Sequence, residues 1–405
     1  MTIIMDDGLN RRPMDSSESN ALGDVVPDGT LESTTKQSVP TFERPEQSGY
    51  RPVLTVDLEA VCHNYRILTE QNGTAKKSGA VIKADAYGAG AMRISRALAT
   101  REGCQTFFVV HPHEGILLRQ TLVDCAPDAT IYVFAGPTKA TLRLFKSGNL
   151  SPVLNSLEQC RLWADVSDGA AAALHVNTGM NRLGLPVEDI PQLKTISDLT
   201  LDLILTHLSS ADEPEQAIND EQRVLFKDVA KAFEGIPKSL SATAGALLSA
   251  NFQSDMHRPG IGLFGVDPSG RFNIPLHTAL TLHAEILQVQ TLPAGSPVGY
   301  NGTFTTKRET TLATLALGYA DGFPIAASNR AKVFISGEQC DVIGRVSMDL
   351  TTIDVTDLPN LPSPGDNAEV FGTQISVVDL ASACNTIPYE IFTRMSSRVY
   401  RNYIR

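Results

Sequence analysis

Between residues 80 and 264 the chain carries eight short apolar runs of strand character, most of them separated by segments long enough for a helix. They are AVIK (80–83), TFFVV (106–110), TIYVFA (130–135), SPVL (151–154), ALHV (173–176), DLILT (202–206), SLSA (239–242) and IGLF (261–264). Eight parallel strands alternating with helices is the pattern of a (β/α)8 barrel. Ahead of them, RPVLTVDLEAVCHNYRIL reads as a short strand and an amphipathic helix with Asp57 as its N-cap. After about residue 280 the texture changes. ALTLHAEILQVQTLP, TTLATLALG, AKVFIS, CDVIGRV, LTTIDV and NAEVFG are β-branched and punctuated by Gly, Pro and Asp, which predicts antiparallel strands. The last stretch, SVVDLASACNTIPYEIFTRMSSRVYRNYI, opens with a helical period and ends in a basic, tyrosine-containing tail.

The expected fold is therefore α/β: a (β/α)8 TIM-type barrel over 49–280, then a mainly antiparallel β domain over 281–405. The first strand, about 51–57, is able to join the β domain instead. Residues 1–48 carry nine acidic and four basic side chains without a sustained apolar period, the composition of a disordered extension. Their start is too acidic and too weakly apolar for a secretory or transit segment. No apolar run approaches the ~20 residues of a spanning helix, so no membrane contact and a cytoplasmic location are expected. The formal net charge of -11 argues against nucleic acid as a partner. Six scattered cysteines without a C-x-x-C pair or a nearby His cluster predict inert thiols and no metal site.

A barrel works at the carboxyl ends of its strands. Lys83 ends the first run, Asn177 to Arg182 follow the fifth, and His207 comes just after the sixth. Thr243 follows the seventh, and Arg258 lies just before the eighth. A lysine closing a buried strand is paired, depressed in pKa or used covalently, and lysine held in such a site forms Schiff bases. The ADAYGAGA that follows supplies a tight Gly-rich turn leading into a helix, suited to an anion near its start.

AVIKADAYGAG, HVNTGMNRLGL, LTHLSSADEP, RPGIGLFG, VGYNGTFTTKRETTLATLALGYADGFP, GRVSMDLTTIDVTD and NTIPYEIFTRMSSRV together resemble the alanine racemases, in that order. The resemblance covers about residues 51–405. It implies an amino-acid racemase, an isomerase that uses pyridoxal 5'-phosphate to interconvert L- and D-alanine and works as a homodimer with shared active sites. Lys83 would carry the cofactor as a Schiff base and act as one acid/base group, with Tyr300 of the partner subunit as the other. Racemisation removes the Cα proton from one face and returns it to the opposite face, which two groups on opposite sides do most directly. A tyrosine at its ordinary pKa of ~10 is a poor base at neutral pH and needs a cation nearby.

By the same resemblance Arg258 faces the pyridine nitrogen. A permanently charged arginine leaves that nitrogen unprotonated and makes the cofactor a weaker electron sink, which favours plain reprotonation. His207 would lie against the ring, and Tyr87, Thr243 and Tyr389 would hold the phosphate with the backbone around Gly260 and Ile261. Arg182 would bind the substrate carboxylate with the Met348 N–H, and Tyr319 and Asp321 would line a corridor admitting only small amino acids. The sequence departs from the family twice. Ala242 and Thr243 stand where many relatives have Asn-Ser, and His175 stands where some carry a carbamylated lysine that steadies the arginine. Asn177, chloride or His175 itself are then the alternatives for holding Arg182.

A serine or broad-specificity racemase of the same fold is the alternative function, differing only in corridor side chains. A basic amino-acid decarboxylase of this two-domain type would need a late reactive cysteine motif and a Gly-rich phosphate loop, and neither is found. A non-catalytic cofactor-binding homologue would lack the β domain or lose Lys83 or Tyr300, and this chain has all three.

Overall fold

The computed structural model describes residues 43–71 and 77–405, so the expected disordered extension lies outside the described residues as far as residue 42. Its last six residues do not behave as an extension. Glu46–Ser48 form a 3-10 turn, and Arg44 pairs with Glu285 at 3.1 Å while donating to Asn367 Oδ1. One long cation against two polar partners is enough to dock a short polar segment onto the antiparallel sheet.

The barrel strands follow one another in parallel register. Ala80 pairs with Phe107, Thr106 with Thr130, Tyr132 with Ser151, Val153 with Ala173, Ala173 with Leu203 and Ile204 with Lys238. The circle closes where Met256 pairs with Lys77 and Ala242 bridges Arg258, and Val81 N donates to Pro259 O at 2.9 Å. Val81, Phe108, Tyr132, Val153, Ala173, Leu203 and Leu205 fill the interior, with Phe108 stacked on Tyr132 at 5.1 Å and on Phe134 at 5.3 Å. Outside, helix Ala91–Glu102 buries Ile94, Ala97 and Leu98, three residues at helical spacing, in the main hydrophobic core.

Seven of the eight apolar runs overlap a barrel strand, SLSA by Ser239 alone, and the eighth does not. IGLF is a 3-10 turn, Ile261–Phe264, and the eighth strand is the two-residue Met256–His257 just before it. Pro259 has no N–H to donate to a ladder, and a Cβ at Gly262 would meet Thr243 Cγ2 at 2.6 Å. The chain therefore turns after Arg258, which follows a strand rather than preceding one.

The antiparallel domain is organised by one 13-residue strand, Leu280–Leu292. Its first half lies between Val53–Asp57 and Asn367–Phe371, and its second half pairs with Thr310–Leu315. Strand Val53–Asp57 thus sits in this sheet, and Asp57 turns the chain out of it, its Oδ1 accepting Ala60 N at 2.9 Å to cap helix Leu58–Glu70. CDVIGRV is mostly loop: strand Glu338–Asp341 ends inside it, and Val342 makes a single bridge to Ile353. The basic tail is strand Tyr400–Ile404, parallel to Val53–Asp57. No described helix is long and apolar enough to cross a membrane.

Candidate active site

Five of the expected side chains leave the barrel at the carboxyl ends of its strands. Lys83 lies two residues past Ala80–Val81, Asn177 ends Ala172–Asn177, and His207 lies two residues past Leu201–Leu205. Thr243 opens the short helix Thr243–Leu247, and Arg258 follows Met256–His257.

Lys83 opens a turn of unusual hand. Ala84, Asp85, Ala86 and Tyr87 have φ of 52°, 53°, 51° and 57°, and the turn closes with Ala86 N to Ile82 O and Gly88 N to Ala84 O, both 2.9 Å. Left-handed backbone costs about 1–2 kcal/mol per L-residue, so four in a row store roughly 4–8 kcal/mol that surrounding contacts must offset. Glu114 supplies part of that restraint. Its carboxylate accepts Ala84 N at 2.7 Å and both Val110 N and His111 N at 2.9 Å, tying two rim loops together. Burial, then the Arg182 guanidinium, hold the Lys83 amine below its ordinary pKa against the opposing pull of Glu114. A larger neutral fraction makes that amine a better nucleophile.

Arg258 is 2% exposed. Its Nη1 donates to Ser239 O at 2.7 Å and to the Ser239 hydroxyl, and its Nη2 donates to Thr206 O at 2.6 Å. All three are neutral acceptors. Burial lowers its pKa to about 9, which leaves it charged at neutral pH. Two of the five guanidinium N–H donors have no partner among the described residues, so the site holds a buried cation with donors to spare.

Tyr87, Tyr389, Thr243, Gly260 and Ile261 come together beside it. The Tyr87 and Tyr389 rings lie 6.1 Å apart, and Thr243 Oγ1 accepts Gly260 N at 3.0 Å and Gly262 N at 3.3 Å. With both lone pairs used, the Thr243 hydroxyl keeps its proton to donate. Gly260 is required here because a Cβ would meet Tyr87 Oη at 2.2 Å. Burial raises both phenols, Tyr389 to about 12, so they present O–H donors rather than phenolates.

His207 and His175 are both neutral. Burial first, then the charges of Arg258 and Arg182, bring His207 down to about 3 and His175 to about 4. The His175 tautomer follows from its neighbour. Asn155 Nδ2 donates to Phe134 O at 3.0 Å and Val153 O at 2.9 Å, so its Oδ1 is the atom that accepts from His175 Nδ1 at 2.8 Å. The His175 Nε2 lone pair is left as an acceptor. Asn177 shapes the next loop, its Oδ1 accepting Gly179 N at 3.2 Å and Asn181 N at 3.0 Å. Arg182 is exposed at the end of that loop and has no ion pair among the described residues.

These histidines make stability depend on acid. Above pH 6.5 the folded and unfolded chains both keep them neutral. Below it the unfolded chain binds protons that the folded chain refuses, so stability falls with falling pH. The melting temperature should decline steadily from about pH 6.5 to pH 4, and a His175→Gln, His207→Gln variant should flatten that slope in a pH series of thermal melts. An unchanged slope would contradict the assignment.

The remaining expected residues lie on the β domain. Tyr300, in the turn Tyr300–Gly302, is 69% exposed and Met348 is 52% exposed. Tyr319 lies beside Met348, since Ala320 N donates to Met348 O at 3.0 Å. Asp321 is turned inward, accepting Gly318 N at 2.9 Å and pairing with Arg398 at 2.9 Å, so it shapes the Tyr319 loop from beneath. Among the described residues no hydrogen bond or ion pair joins Tyr300 or Met348 to Lys83, Arg182, His207 or Arg258. Sequence reasoning missed Glu114 and Asn155. Only Glu114 had a local signal: it is the N3 acid of a helix opened by Pro112.

Residues 56–268 match the family described as alanine racemase, N-terminal domain, and residues 279–403 match its C-terminal domain. The chain is similar to an alanine racemase from Rhodospirillum rubrum, 40% identical over 87% of this chain and 95% of that one. Its fold is similar to the alanine racemase from Bartonella henselae with covalently bound pyridoxal phosphate, with a TM-score of 0.82 and 34% identity over 87% of this chain and 99% of that one. It is also similar to the alanine racemase from Streptomyces coelicolor, with a TM-score of 0.81 and 30% identity over 89% of this chain and all of that one. A barrel with a strained lysine turn and a buried arginine on one rim, followed by this β domain, matched at these levels across nearly the whole described chain, belongs to the alanine racemase family of isomerases.

Proposed function

We propose that this chain interconverts L- and D-alanine with pyridoxal phosphate attached to Lys83, as a homodimer in which Tyr300 and Met348 of the partner subunit complete each site. The observation that carries the reading is Arg258, a buried cation with only neutral partners and spare donors, on the same rim as Lys83. The residues fit the cofactor. Lys83 offers an amine of lowered pKa, Tyr87, Thr243 and Tyr389 offer hydroxyl donors for a phosphate, and Arg258 offers N–H donors to an unprotonated ring nitrogen. When bound, pyridoxal phosphate supplies the electron withdrawal that loosens the Cα proton of an attached amino acid.

The protein's own groups do the rest. Lys83 Nζ takes or returns a proton on one face, and Tyr300 Oη of the partner subunit serves the other face. Arg258 keeps electron withdrawal modest because it donates to the ring without surrendering a proton. His207, held neutral, would lie against the ring without adding charge. Arg182 grips the substrate carboxylate with the partner subunit's Met348 N–H, on a loop fixed by Asn177 and with the His175 Nε2 acceptor behind it. Tyr319, set by the buried Asp321, narrows the way in. We take 49–280, apart from strand Val53–Asp57 in the antiparallel sheet, as the cofactor-binding barrel and 281–405 as the domain that serves the neighbouring site. The heavy exposure of Tyr300 and Met348 in a single chain supports that division.

The test is to follow D-alanine formation from L-alanine, with L-serine in parallel, and to reduce the cofactor-loaded protein with borohydride. Racemisation of alanine well above serine, with the reduced adduct on the Lys83 peptide, is the expected result. Equal rates would favour a broad-specificity racemase, and failure to take up added cofactor would overturn the reading.

A further inference from the structure

The left-handed turn at Lys83 is held from the far end of the chain. Arg401, on the last strand, sets all five of its N–H donors on backbone carbonyls. Its Nε and Nη2 converge on Gly88 O at 3.1 and 3.0 Å, at the residue that closes the turn. The other donors reach Met395 O at 2.8 Å, Ser396 O at 2.6 Å and Val399 O at 2.9 Å, which moors Arg401 to its own segment. Tyr403 Oη donates to Ala89 O at 3.0 Å, and its ring lies under the Arg93 guanidinium at 5.7 Å.

The fit leaves no slack. A Cβ at Gly88 would meet Phe392 O at 2.5 Å, and a Cβ at Gly90 would meet Tyr403 Oη at 1.8 Å, so two glycines are needed where the turn and the C-terminal segment meet. The same segment carries Tyr389 on helix Pro388–Thr393, beside Tyr87. Within the turn itself the restraints are backbone bonds, the Glu114 carboxylate on Ala84 N, and Asp85 Oδ1 accepting Ala91 N at 2.7 Å. None of these caps the Gly88 carbonyl.

We propose that Arg401, with Tyr403, is a positioning clamp that keeps the Lys83 turn left-handed and its amine aimed along the barrel rim. The inference rests on the reading of Lys83 as the cofactor's attachment point. A guanidinium is needed because one planar fork must serve carbonyls on two segments, which an ammonium with its three donors on a single atom does not do. The clamp touches neither substrate nor cofactor and acts only through Gly88 and Ala89.

The test compares peptide-level hydrogen exchange in the full chain, with and without pyridoxal phosphate, for the wild type, Arg401→Lys and Tyr403→Phe. Arg401→Lys should speed exchange of the 86–91 amides by at least about tenfold, and Tyr403→Phe by a smaller factor. Exchange over 151–177 should stay at the wild-type rate, and the cofactor should leave Arg401→Lys on dialysis about tenfold faster. Unchanged exchange over 86–91, or an equal rise in every segment, would falsify the clamp. If Arg401→Lys fails to fold, Tyr403→Phe, which removes one oxygen, carries the same comparison. A wild-type protein that never takes up cofactor overturns the role of Lys83, while the exchange result on the cofactor-free chain still decides the clamp.

Discussion

A Lys83→Ala variant is expected to racemise alanine at least about 10³-fold more slowly than the wild type and to carry no covalently fixed cofactor after borohydride reduction. Two functions disappear with one side chain: the attachment point and the proton carrier on its face. The site around it should survive, because Ala84 to Tyr87 are held by backbone bonds, by Glu114 and by the C-terminal segment rather than by the lysine amine. The variant should therefore fold, melt near the wild-type temperature and still bind pyridoxal phosphate reversibly. Retention of more than a tenth of wild-type activity would remove Lys83 from the chemistry.

Mixing two dead variants should restore activity. Tyr300→Phe alone should lose about 10²–10⁴-fold in rate, the span typical of a general acid/base group. Combined with Lys83→Ala under conditions that exchange subunits, half of the dimers become hybrids. In each hybrid, one site pairs an intact Lys83 with an intact Tyr300 from the other chain. About a quarter of the wild-type rate should then return, since one site in two is whole in one dimer in two. If Tyr300 worked within its own chain, every hybrid site would lack one group and nothing would return. The exposed placement of Tyr300, joined to its own rim residues by no hydrogen bond or ion pair among the described residues, is why we expect recovery.

Much of the barrel was legible because its strands announce themselves by composition. TFFVV and ALHV are short, apolar and β-branched, and residues at the ends of such runs fall on the rim in any (β/α)8 arrangement. The eighth strand was misread for a physical reason. Met256–His257 is too short to show a period, and the apolar run after it follows a proline and is split by a glycine, both of which favour a turn. The tail strand was illegible because YRNYI has neither clean alternation nor a sequence neighbour to pair with, its partner being Val53–Asp57. The hand of the Lys83 turn lies deeper still. KADAY has ordinary helix-forming residues, and nothing local says left. The hand is imposed by groups from elsewhere in the chain, Arg401 above all. The candidate side chains were likewise nameable as residue types, Lys83 and Arg258 in particular, and the fold brings both to one rim. What stands behind His175 was not nameable, because Asn155 comes from a different strand.

The pairing of Val53–Asp57 with both Leu280–Leu292 and Tyr400–Ile404 has a consequence for how such a chain is made. On the ribosome, strand 53–57 emerges before either partner and keeps one edge unpaired even after 280–292 has followed, until 400–404 is made. Its partners lie far away in sequence, which makes this sheet slow to close and late to form. A nascent or prematurely terminated chain would expose that edge and the apolar face of helix Leu58–Glu70 beside it, the kind of surface that chaperones capture. Nor can the barrel be harvested by cutting the gene near codon 280. Such a fragment would keep strand 53–57 and discard both of its neighbours, so a soluble barrel fragment would have to begin after residue 57.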